Sequence, residues 1–254
     1  MQRLRIRYAK RGPMRFTSHR DFARALERAL LRARVPIAYS QGFHPHPKIS
    51  YASAAPTGVA SEAEYLEIGV RDRVVPAELA AALDAALPPG LDVLEAVEAT
   101  HGGLAERIDA SVWRVELPDQ PAEQAALAVA AFLAAAEVIV ERLTKQGRRS
   151  MDARGPVVRL QVRSADSAVD IGTAVAPFEV GAAPCAILDL VVRHVTPTVR
   201  PDDVLTGLRV VAGLEPLVPP RATRLAQGLL TAEGVVVDPL MVDRDLAGAG
   251  AALG

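Results

Sequence analysis

The sequence RLRIRYAKRGPMRFTSHRDFARALERALLRARVP, residues 3–36, decides the start of the fold because its hydrophobic period changes once along its length. Charged and apolar residues alternate over residues 3–10, which is typical of a β-strand with one buried face. Gly12 and Pro13 interrupt this pattern, and Ser18 with Asp21 three residues later predicts the beginning of a helix. An apolar stripe then recurs at helical spacing at Phe22, Leu26, Ala29, Leu30 and Ala33, and Pro36 ends the helix.

The segments that follow complete a recognisable order of elements. The first hundred residues continue with extended segments at 37–40 and 48–52, a strand at 65–70, a helix at 75–87 and a strand at 91–96. This order is β-α-β-β-α-β, the split ferredoxin-like motif. A similar pattern restarts with strands at 112–117, 138–143, 157–162 and 186–192, a helix at 122–136 and another from Pro201. We therefore predict an α+β fold of tandem ferredoxin-like units with mainly antiparallel sheets: a domain at 1–99, a linker at 100–110, a second unit at 111–237 and a flexible tail at 238–254.

Charge is distributed unevenly, although the 254 residues carry a net charge of only −1. Residues 1–50 contain 12 Lys or Arg against 2 Asp or Glu, and residues 51–110 contain 3 against 11. Either the fold presents a basic face and an acidic face, or neighbouring strands interleave the two blocks and pair their charges.

Composition also limits the location and the chemistry of the chain. The first residues lack the apolar core of a secretory signal, and the apolar run at 125–136 is too short to cross a bilayer, so we expect a cytoplasmic protein without a membrane partner. The single cysteine, Cys185, cannot supply the three thiolates that hold an iron–sulfur cluster for S-adenosylmethionine. The chain is therefore not expected to be a radical SAM enzyme itself.

Two histidine-bearing segments are the main candidates for metal or acid–base chemistry: SHRD at residues 18–21 and YSQGFHPHPKIS at residues 39–50. His44 and His46 alternate with prolines, which favour polyproline II and turn the two rings away from a common face. A metal site would therefore combine His19, Asp21 and His46. Alternatively the histidines only occupy a stiffened loop, or His19 and His46 act as acid and base on an RNA 2′-hydroxyl.

Anion recognition is the other interpretation of the same region. Arg20, Arg24, Arg28 and Arg32 recur every four residues along the first predicted helix, and like charges at this spacing repel. The row is either a solvated helix face or a ridge that binds phosphates, with aromatic residues beside it to stack bases. Tyr39, Phe43 and Tyr51 are the candidate stacking residues, and some of them must instead fill the core. The full set of candidate substrate-binding residues is Arg15, Ser18, His19, Arg20, Arg24, Arg28, Tyr39, Gln41, Gly42, Phe43, His44, His46 and Lys48.

Four short motifs, FTSH (16–19), YSQGFHPHPKIS (39–50), PTG (56–58) and EAEY (62–65), resemble the radical SAM-associated family built on the domain DUF2344. The resemblance is specific over residues 1–100 and looser beyond. It implies that the chain is the partner of a radical SAM protein, that the partner carries the iron–sulfur cluster and S-adenosylmethionine, and that this chain holds no cofactor of its own.

Three functions remain open on these grounds. The first is a non-catalytic accessory protein that binds or presents an RNA, such as a tRNA, to a radical SAM enzyme. The second is a ferredoxin-like RNA-processing enzyme that uses His19 and His46. The third is a scaffold that binds only protein.

Overall fold

A computed structural model of the chain describes residues 1–144, 147–163 and 185–245. The fold is α+β with mainly antiparallel strand pairing, which confirms the predicted class. The chain forms two compact units. Unit 1 contains Met1–Ile108 and the segment that begins at Val237, and unit 2 contains Asp109–Val236.

Unit 1 has the predicted order of elements. These elements are β1 (Gln2–Lys10), a 3₁₀ turn (Gly12–Phe16), α1 (His19–Arg32), β2 (Ile49–Ala52), β3 (Ala60–Val70), α2 (Pro76–Ala86) and β4 (Leu91–Glu98). The strands lie in the order β4-β1-β3-β2, and every neighbouring pair is antiparallel. The third predicted strand begins five residues earlier than expected, because SEAEY at 61–65 is buried although it carries two glutamates.

One face of this sheet packs against α1 and α2. Leu4, Ile6 and Tyr8 alternate along β1 toward the helices and share a core with Phe22 and Leu26 of α1. Each such side chain contributes about 1.5–3 kcal/mol when it leaves water completely. The apolar residues at alternate positions of β1 and those at helical spacing on α1 therefore pack together in one apolar layer, as the sequence pattern predicts.

The opposite face of the sheet is covered by residues 238–245. Arg5 points to this side and is fully buried, and its guanidinium donates to Asp243 at 2.8 and 3.0 Å and to Glu67 at 3.0 Å. Asp243 also accepts from the hydroxyl of Thr100 at 2.6 Å and from Arg107 at 2.9 Å. The segment is held to unit 1 by a buried ionic network.

The predicted tail and linker are therefore corrected. A tail over 238–254 is wrong for residues 238–245, which contain the fully buried Leu240 and Asp243 and a short helix at 241–245; the remaining residues lie outside the described part. The predicted linker at 100–110 also packs closely, because Leu104 and Ile108 share an apolar cluster with Leu240. Alanine- and glycine-rich sequence beyond residue 245 concealed the two anchoring side chains.

Among the described residues, unit 2 contains two helices, four strands of the main sheet and a separate hairpin. Its elements are β5 (Ala110–Pro118), α3 (Ala122–Ala134), β6 (Ile139–Thr144), β7 (Gly147–Asp152), β8 (Val157–Val162), β9 (Cys185–Arg193), α4 (Pro201–Ala212) and β10 (Arg221–Leu230), with β11 (Val236–Val237) at the boundary of the two units. Four strands follow the order β10-β5-β9-β8, and β6 pairs with β7 in a separate hairpin. Sequence periodicity missed β7 and β10 because both are rich in polar side chains.

The helices of unit 2 approach closely at a glycine. A Cβ at Gly207 of α4 would lie 2.6 Å from Cε2 of Phe132, a fully buried residue of α3. Arg142 of β6 pairs with Asp203 at the start of α4 at 2.8 Å, and burial raises the pKa of that carboxyl.

In the described part of the chain, no helix combines the length and the apolar character that a membrane span requires.

Replacing Asp243 by Asn tests the buried network. The amide cannot neutralise Arg5, and removal of one partner from a buried ion pair costs about 3–5 kcal/mol. We expect the free energy of unfolding, measured by urea titration of the whole chain, to fall by about that amount. The control is Asp245→Asn on the same short helix, where the carboxylate is exposed; equal losses in both variants would contradict the assignment.

Acidification provides a second test. Burial alone would raise the pKa of Asp243, but hydrogen bonds from Thr100 and the charge of Arg5 hold it below its usual range. A lowered pKa in the folded state stabilises the protein above the usual Asp pKa of about 3.9, and this contribution is lost as the pH falls through the folded value. Wild type should therefore lose more stability on acidification than Asp243→Asn, as followed by thermal unfolding at a series of pH values.

Candidate nucleic-acid interface

The start of α1 is built by the residues SHRD at 18–21. The hydroxyl of Ser18 accepts from the backbone N–H of Asp21 at 3.2 Å and donates to the Asp21 carboxylate at 2.6 Å. This confirms the predicted N-cap, and it occupies Asp21 within the cap. His19 is the first residue of the helix, and its side chain is exposed.

An aromatic row connects His19 to the core of unit 1. The His19 ring meets Tyr51 of β2 edge to face with 4.7 Å between centroids, Tyr51 meets Phe22 at 6.0 Å, and Phe22 stacks on Tyr8 at 4.4 Å. Burial, together with the nearby charge of Glu27, raises the pKa of Tyr51 to about 12. Tyr51 therefore belongs to the packed side of β2, and among the three candidate stacking residues it is the one that fills the core.

Residues 39–48 form a closed loop with an exposed tip. Tyr39 bridges to Pro47, the N–H of Ser40 donates to the carbonyl of His46 at 2.8 Å, and the Ser40 hydroxyl accepts from the N–H of His46 at 2.9 Å. The φ of Gly42 is +135°, which favours glycine there.

The tip residues leave their side chains in solvent. Gln41, Gly42, His44, Pro45 and His46 are exposed. Tyr39 is 46% exposed, and Phe43 makes essentially no contact that shields it from water. The loop thus holds two accessible aromatic rings on a hydrogen-bonded base.

Lys48 follows the loop and stays at the surface. Its backbone pairs with Ala38 at 2.8 Å and with Gly69 at 2.9 Å, which attaches the loop to β3. Its ammonium group is exposed and lies 3.6 Å from the sulfur of Met1.

Two buried charged residues hold the PTG segment at 56–58: Lys10, which the sequence analysis did not select, and Glu64, which belongs to the EAEY motif. The buried ammonium of Lys10 donates to the carbonyl of Pro56 at 3.2 Å, and the buried carboxylate of Glu64 accepts from the N–H of Ala55 at 3.0 Å. The N–H of Gly58 donates to the carbonyl of Arg15 at 2.8 Å. A lysine that ends an alternating strand and a glutamate inside a buried strand were the available signals.

Arg15 lies beside this segment. Its guanidinium stacks over the ring of Phe16 at 4.7 Å, and its Nε is buried without a hydrogen-bond partner among the described residues. Phe16 itself is 59% exposed. The pair adds a cation and an aromatic surface close to the beginning of α1.

The arginines of unit 1 fall into two groups. Those of β1 are neutralised: Arg3 and Arg5 pair with Glu67, and Arg7 pairs with Asp238. Arg11, just beyond the strand, pairs with Glu62 and Asp92, which raises its pKa. The acidic block at 51–110 thus interleaves with the basic block at β1.

The arginines of α1 behave differently. Arg20, Arg24, Arg28 and Arg32 are exposed, and none of them forms an ion pair with any residue of the described ranges. Successive members of the row are separated by about 6 Å along the helix axis. Both sequence alternatives are therefore partly right, because charges are paired across the strands while α1 keeps a basic face.

The basic face continues past the helix through residues that sequence analysis did not select. Arg34 follows α1, and the backbone of Arg71 lies beside Pro36, two residues further on, because its N–H donates to the carbonyl of Pro36 at 2.8 Å. Both side chains are exposed. Arg71 comes from the turn after β3, so only the three-dimensional fold places it near the end of α1.

The residues proposed for a metal site do not form one. Within residues 1–144, 147–163 and 185–245, no three His, Cys, Asp or Glu side chains come together in a way that could hold a metal ion. His19 contacts Tyr51, and Asp21 binds Ser18. No residue of the described ranges makes a hydrogen bond to the ring of His19 or His46.

Comparison with known proteins identifies a family. A family model described as an uncharacterized protein conserved in bacteria, DUF2344, matches residues 3–201. No curated protein matches the chain. The match confirms the resemblance carried by the motifs of residues 16–65, and the association with a radical SAM protein stays a prediction.

Replacement of Ser40 by Ala tests how the loop is held. The variant removes the acceptor for the His46 N–H, and one such hydrogen bond is worth about 0.5–1.5 kcal/mol. We expect the His46 amide to exchange with deuterium about two- to tenfold faster, measured by NMR. Ser50→Ala is the matched control, because Ser50 is exposed on β2 and makes no side-chain hydrogen bond in the described chain. Unchanged exchange at His46 in Ser40→Ala would contradict this geometry.

Proposed function

The chain belongs to the DUF2344 family of bacterial proteins, and we propose that it binds RNA through the basic face of α1 and the loop at 39–50. In this proposal it is a non-catalytic accessory protein that presents the RNA to a catalytic partner. The family resemblance suggests a radical SAM enzyme as that partner, with the iron–sulfur cluster and S-adenosylmethionine bound to the partner.

The row of four arginines on α1 carries the proposal. Like charges four residues apart destabilise a helix by a few tenths of a kcal/mol per pair. Asp21 and Glu27 lie on the same helix, but no carboxylate of the described residues forms an ion pair with the four arginines. The same unit pairs each of its β1 arginines with a carboxylate, whereas the arginines of the α1 row form no ion pair in the described chain. An external polyanion supplies the missing negative charge, and a phosphate backbone fits a linear row of guanidinium groups.

The exposed aromatic rings of the loop favour RNA as the ligand over an anion that has no bases. Tyr39 and Phe43 offer rings to solvent on a loop that follows α1 by seven residues. Stacking of a base on an aromatic side chain is worth about 1–3 kcal/mol and tolerates any base. A surface that binds only ions does not need exposed apolar rings, which mark an interaction site when they are grouped.

The other face of the sheet is a poor alternative for RNA. Four-stranded RNA-binding sheets commonly stack bases on the face opposite their helices. In unit 1, residues 238–245 cover that face: Asp243 binds Arg5, and Asp238 lies 3.5 Å from Arg7 and from the hydroxyl of Tyr65. The helix side and the loop are the surfaces that remain open.

We also infer that both units are ferredoxin-like. The order β4-β1-β3-β2 in unit 1 corresponds strand for strand to β10-β5-β9-β8 in unit 2. The hairpin β6-β7 is then an insertion between the first helix and the second strand of the later unit. This correspondence supports the tandem organisation predicted from the order of elements.

The decisive experiment measures RNA affinity against salt concentration. The full chain is purified from its host, the co-purifying RNA is sequenced, and a labelled copy is titrated by fluorescence anisotropy. Each phosphate contact to a single strand contributes about 0.7 to the slope of log K against log salt. Replacing Arg24 and Arg28 by Glu should therefore reduce the slope by roughly 1.4 and weaken binding strongly at low salt.

A matched control replaces Arg148 and Arg149 by Glu. These residues carry the same charge on the hairpin of unit 2 and are exposed, although Arg148 also pairs with Glu141 at 3.2 Å. RNA affinity that falls only in this variant would overturn the assignment to α1. Weak binding of wild type that does not depend on salt would favour a scaffold that binds only protein.

The alternative RNA-processing activity has its own test. His19 is exposed at the helix start, which keeps acid–base chemistry open, although neither candidate ring is oriented by a hydrogen bond within the described residues. The accessory role predicts that purified chain leaves the RNA intact in wild type and in His46→Ala. Cleavage by wild type that disappears in His46→Ala, followed on gels, would establish the enzyme instead.

A further inference from the structure

A cleft between the end of α1 and the start of α2 lies where the arginine row ends. Its volume is about 330 Å³, which is small but within the range of ligand sites in proteins. The apolar walls are formed by Val35, Val74, Val75, Leu79 and Ala82. Val75 stays 53% exposed, so the cleft presents apolar surface directly to solvent.

The walls of the cleft are fixed by hydrogen bonds. The side-chain amide of Gln2 binds the backbone of Val74 in both directions, accepting from its N–H at 2.9 Å and donating to its carbonyl at 3.2 Å. On the other wall, the N–H of Arg71 donates to the carbonyl of Pro36 at 2.8 Å. A cleft held in this way is available without rearrangement, which lowers the entropic cost of binding.

The rim is charged. Arg34 lines the cleft and has no ion-pair partner among the described residues. Arg73, which also lines the cleft, forms an ion pair with Glu98 at 3.2 Å. Glu78 also lines the cleft and is exposed without an ion pair in the part of the chain that the structure describes. The site therefore combines an apolar floor, an unpaired cation and an unpaired hydrogen-bond acceptor.

We propose that this cleft binds the base of an unpaired nucleotide, with the attached phosphate at Arg34. The inference rests on the proposed RNA-binding function, because Arg34 lines the cleft and follows Arg32, the last arginine of the row, by two residues. A base is a flat, mainly apolar group joined to an anion, which matches an apolar floor beside a guanidinium. A duplex cannot offer such a base without unpairing it, so the site selects single-stranded RNA or an RNA end.

Glu78 adds a preference among bases. A carboxylate accepts hydrogen bonds and donates none when ionised, and it pairs with exocyclic amino groups such as that of cytosine. Uracil lacks this group and presents carbonyl oxygens that repel the carboxylate. The cleft therefore favours cytosine over uracil, and Glu78→Gln should remove most of this preference.

The experiment observes the cleft directly in the full chain. Methyl-labelled protein is titrated with CMP, UMP and inorganic phosphate, and the NMR signals of Val35, Val74 and Leu79 are followed. CMP should shift these signals at millimolar concentration with an affinity about tenfold above that of UMP, the weight of one good hydrogen bond. Inorganic phosphate alone should leave the apolar walls unperturbed.

Two variants of α2 separate filling of the cleft from damage to the helix. Ala82→Phe places a ring in the cleft, and Ala81→Phe places the same ring on the neighbouring exposed position, which does not line it. CMP binding should weaken about tenfold or more in the first variant only. The inference is overturned if CMP does not shift the methyl signals of the wild type, or if it shifts them as strongly in Ala82→Phe as in the wild type.

Failure of the inference can be told apart from failure of the proposed function. If RNA binds with the salt dependence expected for the α1 row but CMP does not shift the methyl signals of the cleft, then only the proposed nucleotide site is wrong. If CMP binds the cleft but the chain binds no RNA, then the proposed RNA-binding function is wrong and the nucleotide site stands. Duplex RNA that binds as tightly as a single strand and equally in Ala82→Phe also counts against the cleft.

Discussion

The buried pair of Arg5 and Asp243 is the interaction on which the architecture of unit 1 depends. Arg5 lies in the central part of β1 with no exposure to water, and an isolated buried guanidinium is not tolerated in an apolar layer. Its partner comes from a segment 238 residues later in the chain. The pair therefore attaches the end of the described chain to the first strand, covers one face of the sheet, and leaves the helix side as the open surface.

This arrangement explains why the charges of the first hundred residues are divided as they are. A strand with arginines at alternate positions can be buried only if carboxylates face it, and Glu67 together with residues 238–243 provides them. The α1 arginines have no such requirement because their side chains already lie in water. Unpaired charge at α1 is thus compatible with folding.

The sequence predicted the elements of unit 1 well because strand alternation and helix stripes are local signals. The cap at Ser18, the apolar stripe of α1 and the extended segments on either side of the loop at 39–48 all follow from neighbouring residues. The docking of residues 238–245 could not be predicted, since two side chains, Leu240 and Asp243, anchor a segment that otherwise has the composition of a tail. Arg34 and Arg71 were missed for a related reason, because a basic surface assembled from separate turns has no sequence pattern.

The late position of Asp243 has a consequence for synthesis of the protein. During translation, β1 leaves the ribosome first, but the carboxylate that neutralises Arg5 is made last among the described residues. Formation of contacts at such sequence separation is slow, and unit 1 cannot reach its final state before unit 2 has been synthesised. A chain that terminates early would expose an unfinished sheet face with uncompensated arginines, and cellular proteases remove such species. Unit 1 is therefore completed only once residues 238–245 have been synthesised.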